Sequence, residues 1–147
     1  MDGLVFPPVD LATSVDQGKT FIYDVLRKKN IVLTPEEWVR QHLIHFLIEG
    51  KQYPKSLMIL EDGMKYAGMK KRSDVVVYDR SGGVFLLAEC KSPRVKLHQK
   101  SMEQLSLYNQ HYKARYLALT NGLALMVYRM DYEHSQYFAA ECLPDYK

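Results

Sequence analysis

Cysteine is scarce in this sequence, and two kinds of membrane-directed segment are missing from it. Two cysteines, Cys90 and Cys142, are too few for a disulfide scaffold or a zinc cluster. No apolar run approaches the roughly 18 residues that indicate a transmembrane helix. The N-terminal stretch MDGLVFPPVD lacks the basic start and apolar core of a signal peptide. We therefore expect a cytoplasmic protein with no membrane partner.

Two further absences limit the activities that the chain can have. No GxxxxGK[ST] phosphate-binding loop occurs, so we expect no ATP-driven motor within these residues. No helix-turn-helix or zinc finger is evident, so we do not expect the chain to read a DNA sequence by itself.

What is present is the composition of an ordinary globular domain. The chain has 147 residues, 47% hydrophobic and 25% charged, which is enough for one domain with its own core. We assign residues 1–30 to an N-terminal arm, irregular up to about residue 20 and able to form a small hairpin after it, and residues 31–147 to the main domain. The net charge of +3 permits nucleic-acid binding without requiring it.

The most informative stretch is Val84 to Lys91, VFLLAECK, which begins with uncharged and mostly apolar residues. This pattern predicts a central strand that is covered on both faces. Glu89 and Lys91 are two positions apart, so they share one face of the strand, while Cys90 points to the other. A carboxylate and an amine at the end of a buried strand are costly unless they have a use.

A second predicted strand, Ser73 to Tyr78, precedes the first and begins near Asp74. If Arg80 to Gly83 form the hairpin loop, Tyr78 pairs with Phe85 and Asp74 lies directly opposite Glu89. Opposed residues have Cβ atoms roughly 4.5–5.5 Å apart, and two like charges there are destabilising. Mg²⁺ or Mn²⁺ would remove this repulsion, because hard cations favour carboxylate and water ligands.

A helix is predicted from Thr34 to about Glu49, with Thr34 as N-cap. Its apolar stripe places Glu36 at the core-facing edge, whereas a capping role is sufficient to explain Glu37. Glu36 is therefore the glutamate of this helix that is expected to face inward. The alternative is an exposed ion pair between Glu36 and Arg40, four residues later.

A second helix is predicted over about residues 97–111, where Gln104 and Tyr108 lie four apart and share a face. Basic residues flank the carboxylate positions on both sides and are candidate phosphate contacts. The alternative for the first group is a solvated turn. These residues are Lys70, Lys71 and Arg72 before Asp74, and Arg94, Lys96 and Lys100 after Lys91.

The rest of the chain predicts a hairpin and a tail. Residues 115–120 and 123–130 form two strands, and the Asn-Gly pair between them indicates a type I′ turn. Residues 136–140 alternate and can add an edge strand, while residues 143–147 are expected to be loose.

Two of these motifs resemble those of known nucleases. Asp74-(x14)-Glu89-x-Lys91 resembles the PD-(D/E)xK signature, with Ser73 in place of the usual proline. Gln104-x-x-x-Tyr108 resembles the QxxxY motif that follows the catalytic lysine in RecB-like nucleases. Together with the TPEEWVRQ helix start, residues from about 31 to 131 resemble the N-terminal domain of type I restriction enzyme R subunits.

The resemblance implies a fold and an activity. The fold is a restriction-endonuclease-like mixed β-sheet flanked by helices, of the α/β (α+β) class. The activity is Mg²⁺- or Mn²⁺-dependent hydrolysis of DNA, by a homodimer or within a larger restriction or defence complex. The implied catalytic residues are Asp74, Glu89, Lys91, Glu36, Gln104 and Tyr108, and the implied metal ligands are Asp74, Glu89, Glu36 and the carbonyl of Cys90. The alternative function is a non-catalytic module of the same fold that binds nucleic acid or a protein.

Overall fold

The computed structural model describes residues 4–61, 65–66, 69–70 and 74–146; for residues 61, 65, 66, 69, 70 and 74 it describes the backbone alone. The strands are β1 (Thr13–Asp16), β2 (Lys19–Asp24), β3 (Lys29–Val32), β4 (Met58–Glu61), β5 (Lys65–Tyr66), β6 (Met69–Lys70), β7 (Asp74–Tyr78), β8 (Val84–Cys90), β9 (Tyr116–Thr120), β10 (Leu125–Asp131) and β11 (Gln136–Ala140). The α-helices are α1 (Pro35–His45), which continues into a π-helical turn at Phe46–Gly50, and α2 (Gln99–Tyr112); Lys55–Leu57 form a 3₁₀ turn.

The central element is a six-stranded sheet in the order β11-β10-β9-β8-β7-β4. The β8–β9 pair is parallel and the other pairs are antiparallel. α2 joins the two parallel strands, because a parallel pair needs a crossover connection. β1, β2 and β3 form a separate antiparallel sheet, and β5 pairs with β6. The predicted class, a mixed sheet flanked by helices, is confirmed.

The two faces of the central sheet carry two cores, one for each helix. On one face, Val39, Leu43 and Ile44 of α1 pack in one cluster with apolar residues of β7 and β8. On the other face, Met102 and Leu105 of α2 lie in a second cluster. All seven residues of β8 are buried, as predicted for a central strand.

The first helix begins where the sequence predicts. Thr34 has extended backbone angles, and its hydroxyl accepts a hydrogen bond from the Glu37 N–H at 3.0 Å. This satisfies one of the helix's free N–H groups, and Pro35 follows in the first turn, where its missing N–H costs nothing. Across the described residues, no helix is long and apolar enough to cross a membrane.

Three local predictions are wrong. Residues 13–16, expected to be irregular, form β1 against β2. The Asn121-Gly122 connection is not a type I′ turn, because Gly122 has a positive φ (86°) and Asn121 does not. The tail is not loose: Leu143 is 1% exposed, and the Tyr53 hydroxyl donates to the Pro144 carbonyl at 2.6 Å. The assigned boundary between residues 30 and 31 stays a prediction.

Candidate active site

The end of β8 carries two buried charged side chains. Glu89 is 8% exposed and Lys91, the next residue but one, is 6% exposed. The Lys91 Nζ lies 3.8 Å from Glu89 Oε2. The Lys91 backbone N–H donates to the Thr120 carbonyl at 2.8 Å, which fixes this end of β8 to the end of β9. An amine and a carboxylate are therefore held side by side at the margin of an apolar core.

The backbone register brings Asp74 to Glu89. β7 and β8 pair with Asp74 opposite Glu89, as the sequence predicts. On its other side, Asp74 pairs with Glu61 of β4, so three acidic positions form a row across three strands. Sequence reasoning missed Glu61. An acidic residue at the end of a short apolar strand was a possible signal for Glu61. Its pairing with Asp74 could not be predicted, because the β4–β7 register cannot be counted across a long connection.

The loop that sets this register differs in detail from the prediction. Tyr78 pairs with Val84 rather than Phe85, and the register shifts next to it, where Val77 pairs with Leu86. Phe85 is thus an extra residue in β8, a β-bulge that compensates for a loop one residue longer than predicted. The two differences cancel before the strand reaches Glu89.

Asp79 organises this loop. Its Oδ1 accepts hydrogen bonds from the Ser81 hydroxyl at 2.7 Å, the Ser81 N–H at 2.8 Å and the Gly83 N–H at 3.0 Å. The Ser81 hydroxyl is the largest contributor to lowering the pKa of the Asp79 carboxyl below its ordinary value. The turn chemistry is local, so it fixes the pairing of Tyr78 with Val84 next to the loop, where the register of the two strands begins.

Side chains alternate between the two faces of β8, so the Cys90 and Glu89 side chains lie on opposite faces of the sheet. The Cys90 side chain is fully buried in the α1 cluster, whereas Leu87 lies in the α2 cluster. Glu89 is two residues from Leu87, so Glu89 belongs to the α2 face. The Cys90 thiol therefore lies away from the carboxylate, and only its backbone carbonyl stays a predicted metal ligand.

The prediction that Glu36, rather than Glu37, faces the core from α1 is wrong. Glu37 is 6% exposed, and its carboxylate accepts from Arg40 Nη1 at 2.5 Å and Gln41 Nε2 at 3.0 Å. The Glu36 side chain is 36% exposed and lies 3.5 Å from Arg40 Nη2. The Glu36–Arg40 pair that was the alternative is present. The role of Glu36 as a metal ligand stays a prediction.

The two motif residues on α2 differ in their surroundings. Gln104 is exposed. Tyr108 is 8% exposed and packs in the α2 cluster, with its hydroxyl 3.1 Å from that of Tyr112. They lie on one helix packed against the face that carries Glu89, and their catalytic roles stay predictions.

The basic residues after β8 are accessible. Arg94, Lys96 and Lys100 are all exposed, in the loop from β8 to α2 and its first helical turn. Lys71 and Arg72 lie outside the described residues, as does the side chain of Lys70. The structure thus provides a basic loop that starts next to Lys91.

Asn121 is a candidate site residue that sequence reasoning read only as part of a turn. It is 6% exposed, and its side-chain amide donates to the Val95 carbonyl in the basic loop at 2.8 Å. Asparagine before glycine signals a turn, but the contact with a loop 26 residues earlier in the chain leaves no sequence signature.

The donor types at the end of β8 fit a divalent cation. Carboxylates are the protein ligands that Mg²⁺ and Mn²⁺ prefer, and the register pairs two acidic residues there. Among the side chains that the structure describes, no group of three or more His, Cys, Asp or Glu residues is placed to hold a metal ion. The side chains of Asp74 and Glu61 are not among the side chains that the structure describes.

Most of the chain matches the model of a known protein family. A family model described as "Type I restriction enzyme R protein N terminus (HSDR_N)" matches residues 35–144. The match covers well over half of the chain and includes every element from α1 to β11. No curated protein and no solved structure matches the chain.

Proposed function

The chain belongs to the type I restriction enzyme R protein N-terminus family, and from that membership we propose that it is a metal-dependent nuclease that hydrolyses DNA. The observation that carries the proposal is the pairing of Asp74 with Glu89 at the end of a buried strand, beside a Lys91 that is 6% exposed. Burying the charges of Glu89 and Lys91 is unfavourable for folding. Such an arrangement is more readily explained by chemistry than by stability.

The proposed ligands of Mg²⁺ or Mn²⁺ are Asp74, Glu89, Glu36 and the Cys90 carbonyl. When bound, such a cation polarises the phosphate and lowers the pKa of its water. Glu89 supplies a carboxylate held rigidly by a fully buried strand. Rigidity matters here because a ligand on a packed strand is already in position before substrate binds.

Lys91 supplies the charge that phosphodiester hydrolysis needs. Its amine is held 3.8 Å from Glu89, so it is oriented toward the carboxylate end of the site. From there it positions the attacking water and donates to the phosphate oxygens as negative charge develops. Gln104 and Tyr108 are proposed to orient Lys91 or a phosphate from α2.

The DNA is proposed to follow the basic residues around the site. Arg94, Lys96 and Lys100 are exposed, and Lys70, Lys71 and Arg72 precede Asp74 in sequence. Contacts with phosphates give affinity without sequence preference. Family membership ties the chain to type I restriction systems, so a larger restriction complex is the proposed setting, with a homodimer as the alternative.

The test is calorimetric titration of Mg²⁺ and Mn²⁺ into the native chain and into Asp74→Ala. The native chain is expected to bind the cation and Asp74→Ala to lose binding. Lys91→Ala serves as the matched variant, since it should keep cation binding but lose most cleavage of labelled DNA, on the order of a hundredfold or more. Absence of binding by the native chain, with and without DNA, would contradict the proposal and favour a non-catalytic module.

A further inference from the structure

The basic loop after β8 begins with a tight turn at Ser92–Val95. The Val95 N–H donates to the Ser92 carbonyl at 2.9 Å, and Pro93 occupies the position that proline favours in such turns. The Arg94 N–H donates to the Ser92 hydroxyl oxygen at 3.2 Å. Arg94 is thus carried at the exposed corner of a turn that starts next to Lys91.

Asn121 ties this turn to the β9–β10 connection. Its Oδ1 accepts from the Leu123 and Ala124 N–H groups at 2.9 and 2.8 Å. Its Nδ2 donates to the Val95 carbonyl at 2.8 Å. The amide orientation follows from these partners, since two N–H donors require the oxygen and a carbonyl requires the NH₂ group.

The connection that holds Asn121 is itself firmly anchored. The Thr120 hydroxyl donates to the Ala124 carbonyl at 2.7 Å and accepts from the Gly122 N–H at 3.0 Å. The Thr120 carbonyl accepts from the Lys91 N–H. The same short connection therefore contacts both the start of the basic loop, at Lys91, and its turn, at Val95.

We propose that Asn121 is a substrate-positioning residue, which holds the Ser92–Val95 turn so that Arg94 meets a DNA phosphate at a fixed distance from Lys91. This inference rests on the proposed nuclease function and adds a residue to it. A long basic side chain on a mobile loop loses conformational entropy when it binds phosphate. Holding the backbone beneath Arg94 in place beforehand removes part of that cost.

The chain offers variants that separate this role from a general effect on folding. Asn121→Asp keeps an oxygen for the Leu123 and Ala124 N–H groups but cannot donate to Val95. Leu123→Asp is the matched control, because it adds the same charge to the same turn at a residue that is 50% exposed. Ser92→Ala loosens the turn from its other side, by removing the acceptor of the Arg94 N–H.

The measurement is fluorescence anisotropy with a short labelled DNA duplex, over a range of salt concentrations and without divalent cations, so that no cleavage occurs. Arg94→Ala is expected to reduce the slope of log K against log salt by about one phosphate contact. Asn121→Asp is expected to weaken binding about three- to tenfold, which is the range of one hydrogen bond. Ser92→Ala should weaken it less, and Leu123→Asp should stay within about twofold of native.

The decisive comparison is a double-mutant cycle. If Asn121 acts through Arg94, Asn121→Asp costs little further affinity in the Arg94→Ala background, and the same holds for Ser92→Ala. Equal losses in both backgrounds, or a loss in Leu123→Asp as large as that in Asn121→Asp, would overturn the proposal. Should Asn121→Asp fail to fold, as judged by thermal unfolding, Asn121→Ser takes its place in the cycle, because the shorter side chain keeps an oxygen for the β9–β10 connection but does not reach the Val95 carbonyl.

Failure of this inference is distinguishable from failure of the proposed function. A native chain that binds DNA, with no effect of Arg94→Ala, removes the Asn121 role but leaves the cation site at Asp74 untouched. A native chain that binds neither DNA nor cation removes both.

Discussion

At the scale of single residues, the adjacent glutamates Glu36 and Glu37 of α1 differ in how deeply their charges are buried. Glu37 and Arg40 are 6% and 2% exposed and form an ion pair, while Glu36 contacts the same Arg40 from the surface. Removing one member of a buried pair leaves the other charged and without compensation, which costs about 3–5 kcal/mol. A surface pair contributes about 0–1 kcal/mol.

We therefore expect Glu37→Ala to lower the free energy of unfolding by about 3 kcal/mol or more, and Glu36→Ala to lower it by at most about 0.5 kcal/mol. Urea denaturation of the two variants measures both values. Equally small losses would show that Arg40 finds an adequate partner in either glutamate. Reduced cation binding in Glu36→Ala, with stability unchanged, would support the metal role proposed for Glu36.

The sequence could not have ranked these two glutamates correctly. The apolar residues of the helix locate its core-facing stripe well, since Val39, Leu43 and Ile44 are all fully buried. They do not indicate that the buried face continues past the stripe over Arg40 and Gln41. A polar side chain is buried when its partners are available, and partners are a tertiary property.

At the scale of elements, the β7–β8 turn sets where the pairing of the two strands that carry Asp74 and Glu89 begins. Hydrogen bonds from Ser81 and Gly83 lower the pKa of Asp79 below its ordinary value. A carboxyl whose pKa is lower in the folded state contributes stability above its unfolded pKa, near 4. That contribution is lost as the pH falls through the folded pKa.

We expect Asp79→Asn to melt below the native chain at pH 7, and the gap in melting temperature to close as the pH falls below about 4. Melting curves between pH 7 and pH 3 test this. Ser81→Ala removes the largest cause of the shift and should reproduce part of the gap. A gap that stays constant with pH would mean that the charge of Asp79 contributes nothing to the turn.

The register of these two strands is the best-predicted feature of the site, although one step in its prediction was wrong. Turn residues and a count along the chain place Asp74 opposite Glu89, and the structure agrees. The bulge at Phe85 was not foreseeable. The Phe85 ring packs among Tyr53, Tyr116 and Tyr146, which lie far apart in sequence, so a count along the chain does not signal an extra residue at this point.

At the scale of the whole molecule, residues near the C-terminus complete the core of the α1 face. Leu143 is 1% exposed within the same cluster as Val39 and Phe85. The Tyr146 hydroxyl donates to the Tyr78 carbonyl at 2.9 Å, which ties the segment to β7. A short polar tail after an edge strand carries no periodic pattern, and this is why the sequence suggested a loose end.

We expect Leu143→Ala to lower the free energy of unfolding by about 2–5 kcal/mol, the usual range for a leucine truncated in a core. Leu123→Ala is the matched control, since Leu123 is 50% exposed and should change stability by at most about 0.5 kcal/mol. Chemical denaturation of the two variants gives the comparison. Similar small losses in both would mean that the C-terminal segment is not part of the cooperative core.

The charged end of β8 sets the proposed activity against stability. At the end of a fully buried strand and directly after it, Glu89 and Lys91 occupy buried positions that leucine or methionine would fill without any desolvation penalty. Selection of variants for thermal resistance alone would therefore tend to replace these two residues, and the chain would gain stability while losing its proposed chemistry. A stabilised form of this protein for biotechnology should draw its substitutions from elsewhere in the fold.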